Sequence, residues 1–138
     1  MTPKEIFISH SSKDQMFATL VASTLRRHGI PVWYAPTDIV GTQAWQDEVG
    51  LALKRCDWFT VIISPSALES MWVRRELQYV LLQERFEKKI IPILYLPCDS
   101  ESLSWTLPSI QSVDFTQSFD DGFTALLRIW GIGYQKAS

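Results

Sequence analysis

Five short apolar runs rich in β-branched and aromatic residues, alternating with segments of a different period, constrain the fold of this chain most. The runs are "EIFIS" (5–9), "PVWY" (31–34), "WFTVII" (58–63), "KIIPILYL" (89–96) and "SVDF" (112–115). Between them apolar residues recur at helical spacing. Phe17, Leu20, Val21, Thr24 and Leu25 do so over 13–28, which Gly29 closes as a stop. Trp45, Val49, Ala52 and Leu53 do so over 44–55, and Val73, Leu77, Val80 and Leu81 over about 70–86. A last helix spans 119–130. "APTDIVGTQ" (35–43), "SPSALES" and the stretch 97–111 read as loops from their Pro, Gly and Ser content. "WFTVII" is apolar on both faces and belongs in mid-sheet. Strands alternating with helices demand right-handed crossovers. The expected class is therefore α/β, a doubly wound sheet of five parallel strands in order 2-1-3-4-5 with helices on both faces.

The chain's 138 residues suit one domain, 1–138, with its core at about 4–131. A net charge of −2 and no block of like charges give nucleic acid nothing to bind. The two cysteines lack CxxC spacing, and His10 and His28 have no metal-ligand spacing, so no metal site is expected. The first residues carry no apolar stretch of secretory length, and the longest apolar runs are far short of a membrane span. The expectation is a soluble, cytoplasmic protein without membrane contact.

In such sheets ligands bind at the carboxyl ends of the strands, at the switch between the first and third. "SHSSKD", "APTDIVGTQ" and "SPSALES" arrive there. No GxGxxG or GxxxxGK[ST] occurs, so glycine loops that cradle phosphate are absent. A phosphoacceptor receiver would need an acidic cluster after the first strand and an aspartate ending the third; "SHS" and "SPS" stand there instead. Ser9, His10 and Ser11 could suggest nucleophilic catalysis, but polar residues after a strand usually form turns and caps. The helix after the third strand places Trp72 and Glu76 one turn apart, on a second stripe with Tyr79 and Gln83. That stripe opens toward the crevice, where Glu76 is expected to be at least partly exposed. Arg74 and Arg75 are expected on solvated faces.

Three segments together resemble the TIR domain (Toll/interleukin-1 receptor/resistance protein) of the prokaryotic kind. "IFISHSSKD" resembles the family's first box, "GIPVWYAPTDIVGTQAW" its second strand and BB loop, and "FTVIISPSALESMWVRREL" its central strand followed by Ser-x-Trp-x-x-x-Glu-Leu. The BB loop departs from the pattern by one residue before Gly41, and Ala35 replaces an aspartate. The resemblance implies the flavodoxin-like arrangement and, for catalytic members, cleavage of the nicotinamide–ribose bond of NAD⁺ with Glu76 as catalytic residue. Products would be nicotinamide with ADP-ribose or a cyclic ADP-ribose; NAD⁺ is substrate, and no cofactor is implied. Ser9, His10 and Ser11 are expected to contact ribose or phosphate. Trp72 and Tyr34 would form walls, with Trp33 in the core, and Asp38 would bind from the BB loop. Partners would be other TIR domains, met through residues 35–43 and adjacent helices, and self-association would activate the enzyme. The resemblance also implies a bacterial immune or virulence setting. The alternative is a non-catalytic signalling or scaffold module working through homotypic TIR–TIR contacts.

Overall fold

β1 (Ile6–Ser9) buries all four of its side chains, which requires cover on both faces. Successive strand residues point to opposite sides; Ile6 and Ile8 enter one apolar cluster and Phe7 enters another. In the computed structural model, which describes residues 2–35 and 42–137, this strand sits second in a five-stranded parallel sheet. The others are β2 (Val32–Tyr34), β3 (Trp58–Ile63), β4 (Ile90–Leu94) and β5 (Val113–Asp114), in the order β2-β1-β3-β4-β5. α1 (Gln15–Arg27) and α5 (Phe119–Arg128) cover the Ile6 face. α2 (Gln43–Arg55), α3 (Pro65–Leu68) and α4 (Met71–Leu81) cover the Phe7 face. This is the doubly wound architecture expected from the alternation of periods.

Local chemistry explains the element ends. The hydroxyls of Thr42, Ser64, Ser70 and Ser118 each accept a hydrogen bond from a backbone N–H in the first turn of α2, α3, α4 and α5. Gly29, at φ +82°, ends α1 as expected. Its N–H donates to Arg26 O, and Ile30 N–H donates to Leu25 O, the paired bonds of a left-handed C-terminal cap. Pro92 lies inside β4 without breaking the ladder. Lys89 O and Tyr95 N bond to β3, so Pro92, of opposite parity, faces β5, whose pairing starts only at Ile93 opposite Val113.

Two expectations are corrected on the Phe7 face. "SPSALES" is not wholly a loop: Ser64 caps a turn that Pro65 begins, at a position where a helix needs no N–H, and this turn is α3. The helix predicted to reach residue 86 ends at Leu81, and Gln83 is extended. Leaving the helix there lets Phe86 bury completely in the second cluster. It also brings the Arg85 guanidinium to the carbonyls of Leu53 and Cys56 at the C-terminus of α2, where a cation is favoured. Within 97–111 the chain forms 3₁₀ turns at Ser100–Ser102 and Leu107–Ser109, burying Leu103 and Leu107 against the same cluster. No helix among the described residues is long and apolar enough to cross a membrane.

Candidate active site

Ser9 is the last residue of β1 and shares a face with Phe7, two positions earlier. α4 packs across that face with Val73, Leu77 and Val80 inward. On a helix Glu76 lies only about 40° around from Val80. The buried stripe therefore takes in Glu76, and its carboxyl group meets the end of β1. Ser9 Oγ donates to Glu76 Oε1 at 2.6 Å. Glu76 is 6% exposed and Ser9 2%, so the expected exposure of Glu76 in the crevice is corrected: the carboxyl is buried. Burial pushes its pKa up to about 7, against the downward pull of the Ser9 hydrogen bond.

One turn before Glu76, Trp72 is half-buried and meets Trp45 of α2 edge to face, with ring centroids 4.1 Å apart and planes at 81°. The Arg75 guanidinium carbon lies 5.1 Å above the Trp72 ring. Trp72 borders two cavities. One, of about 330 Å³, is the crevice at the strand ends, lined by His10, Ser11, Trp45, Ser70 and Trp72 among others. The second, of about 320 Å³, runs between α2 and α4, where Lys54, Trp72, Arg75, Glu76 and Tyr79 line it. Arg75 is exposed, as expected. Arg74 is not free on a solvated face: its guanidinium donates to Leu68 O and Ser102 O, tying α4 to α3 and to the 97–111 segment.

After β1, His10 Nε2 donates to Gln15 Oε1 at 2.7 Å. Its Nδ1 is buried without a hydrogen-bond partner among the described residues. Burial holds the imidazole below its ordinary value of 6.5, so it is neutral at pH 7. Ser11 is buried, and its Oγ accepts from Lys13 N. Asp14, also buried, accepts from Ser64 Oγ at 2.5 Å, joining the turns that follow β1 and β3. Trp33 stacks on Phe7 on Glu76's side of the sheet, in keeping with its expected core role. Tyr34 packs on the opposite side, its ring 6.0 Å from that of His10.

The structure thus brings Ser9, Glu76 and Trp72 together and sets His10 and Ser11 in the adjoining crevice. It places Tyr34 across the sheet from Glu76. Asp38 lies outside the described residues. Two features escaped sequence reasoning. Trp45 looked like an ordinary inward residue of α2 yet lines the crevice. Asp14, within the polar stretch after β1, is bonded to a serine 50 positions away, which no local pattern signals.

The family described as TIR domain matches residues 6–127. This chain belongs to that family. Among its curated relatives, the TIR domain here is 30% identical over 108 residues to the 2′ cyclic ADP-D-ribose synthase BtTIR of Bacteroides thetaiotaomicron, covering 77% of this chain and 37% of that protein. It is 26% identical over 132 residues to the NAD(+) hydrolase PdTIR of Paracoccus denitrificans, covering 92% of this chain and 44% of that protein. The chain thus spans less than half the length of either relative. The crystal structure of the TIR domain of the Toll-related receptor TRR-2 from Hydra magnipapillata superposes with a TM-score of 0.71 at 22% identity. That match covers 91% of this chain and 94% of the other, and it shows the shared fold.

Proposed function

We propose that this TIR domain cleaves the nicotinamide–ribose bond of NAD⁺, with Glu76 as the catalytic residue. The observation that carries the reading is a carboxylate buried at the end of β1, held at one oxygen by Ser9 and flanked by Trp72. Most glycosidases need two carboxyl groups because the leaving oxygen must be protonated. Nicotinamide leaves NAD⁺ as a neutral molecule from a cationic one, so no general acid is required. One carboxylate can stabilise the positive charge that develops on the sugar, and a dry site strengthens that effect. Water attacking the sugar gives ADP-ribose; attack by the adenine or a ribose hydroxyl of the same molecule gives a cyclic product. The names of the two curated relatives, a synthase of cyclic ADP-ribose and an NAD⁺ hydrolase, support the substrate.

In this reading Trp72 offers a stacking surface, His10 and Ser11 meet ribose or phosphate in the crevice, and Asp38 binds from the 35–43 segment. Tyr34 takes part only through His10, whose ring it flanks. Glu76 is so buried that something must move before a sugar reaches it. A second TIR domain docking on 35–43 and the neighbouring helices is the event we propose for that step, which makes self-association the activating signal. A reducing cytoplasm suits the two free cysteines, Cys56 and Cys98; burial raises the Cys56 thiol to about 12.

A second reading has the same burial in its favour, since a 6% exposed carboxyl is also what a structural residue shows. The domain would then act as a homotypic scaffold without turnover. Incubation with NAD⁺ over a hundredfold range of protein concentration, followed by chromatography for nicotinamide, separates the two. The catalytic reading expects nicotinamide, with specific activity rising with concentration. Absence of nicotinamide at every concentration favours the scaffold.

A further inference from the structure

We infer that Ser9 is a positioning residue for Glu76 rather than a contact of the substrate; this rests on the catalytic reading of Glu76. Ser9 has one hydroxyl proton, and it is engaged with Glu76 Oε1 at 2.6 Å. The residue is 2% exposed, so a sugar hydroxyl has little of it to touch. Its position explains the pairing. As the last residue of a strand buried on both faces, Ser9 has a fixed backbone, and its side chain points to the α4 side with that of Phe7. One carboxylate oxygen is thereby pinned to a rigid element. Among the described residues nothing bonds Oε2, which is left for the charge that develops on a substrate.

Among the described residues no other side chain bonds the Glu76 carboxyl. Among the described residues, the charged and titratable side chains that share a cavity with Glu76 are Lys54 of α2 and Arg75 and Tyr79 of α4. None of them contributes to the displacement of the Glu76 pKa: burial raises it and the Ser9 hydroxyl opposes the rise. Without Ser9 the carboxylate would be harder to ionise and free to rotate. The consequence for catalysis is a lost rate at neutral pH that returns in more alkaline solution.

The test compares wild type with Ser9→Ala and Ser9→Cys, the latter close in shape but a much weaker donor. Carboxyl ¹³C NMR of glutamate-labelled protein follows the titration of Glu76 without NAD⁺, its signal assigned by its loss in Glu76→Gln. Both Ser9 variants should titrate about half a pH unit or more above wild type. The acid limb of kcat/KM for NAD⁺ cleavage should move by the same amount, with kcat reduced and KM nearly unchanged. An unmoved midpoint, or a raised KM with an unmoved acid limb, overturns the inference and makes Ser9 structural or a substrate contact. If wild type releases no nicotinamide, the catalytic reading fails, and the NMR midpoint alone decides whether Ser9 governs the ionisation of Glu76.

Discussion

Trp45 and Trp72 meet edge to face at 4.1 Å, and Trp72 borders both the crevice at the strand ends and the cavity that holds Glu76. Trp45 is 2% exposed and fills the core; Trp72 is only half-buried, which leaves part of its ring available. Trp72→Ala is therefore expected to remove about 1–3 kcal/mol of stacking on substrate, a loss of about 5- to 150-fold in kcat/KM. Its cost in stability should stay below the roughly 3–5 kcal/mol of a fully buried tryptophan. Thermal melts beside nicotinamide release measure both. A melting shift of core size with normal turnover would return Trp72 to the core.

Asp14 and Ser64 fasten the turns after β1 and β3, the two that frame the switch point of the sheet. Ser64 Oγ donates to Asp14 and accepts from Ala67 N, so each partner is satisfied inside the protein. Asp14→Ala leaves a buried hydroxyl without an acceptor and should cost about 1–3 kcal/mol. Asp14→Asn keeps an acceptor oxygen and should cost less. Denaturant midpoints of the two variants give the comparison; equal losses would mean that the hydrogen bond is not what Asp14 contributes.

Glu76 makes stability depend on pH. Its carboxyl binds a proton up to about pH 7 in the folded protein but only up to about 4.5 when unfolded. The folded state therefore holds more protons across that window, and stability falls as pH rises through it. A displacement of that size corresponds to about 3 kcal/mol. Glu76→Gln, which has no charge to bury, should melt close to wild type below pH 4.5 and increasingly above it as pH approaches and passes 7. Calorimetry at a series of pH values tests this; a difference that stays constant from pH 4 to 8 would show that Glu76 titrates normally.

The sheet order was legible because each strand carries its own hydrophobic signature and the connections leave one sensible winding. Gly29 announced the end of α1 locally, whereas the hydroxyl of Ser64, which caps α3, stood inside a stretch that read as loop. The end of α4 was not legible, since no Gly or Pro follows Leu81 closely enough to mark a stop, and it is the burial of Phe86 and the reach of Arg85 that draw the chain out of the helix. Trp72 and Glu76 stood out as an aromatic and an acid one turn apart. The depth of Glu76 did not, because a helical wheel gives its angle but not how closely β1 approaches. Ser9 was read with its neighbours in the turn, whereas its strand position turns it toward α4.

Nicotinamide release from NAD⁺ by wild type and Glu76→Gln, compared side by side at high protein concentration across pH 5.5–8.5, tests the central claim most directly. Wild-type kcat/KM should rise with pH to a plateau, with a midpoint near the Glu76 value of about 7. The folded variant should release no nicotinamide above the uncatalysed background at any pH. Substantial cleavage by a folded Glu76→Gln, or none by wild type, would contradict the assignment of Glu76 as the catalytic carboxylate.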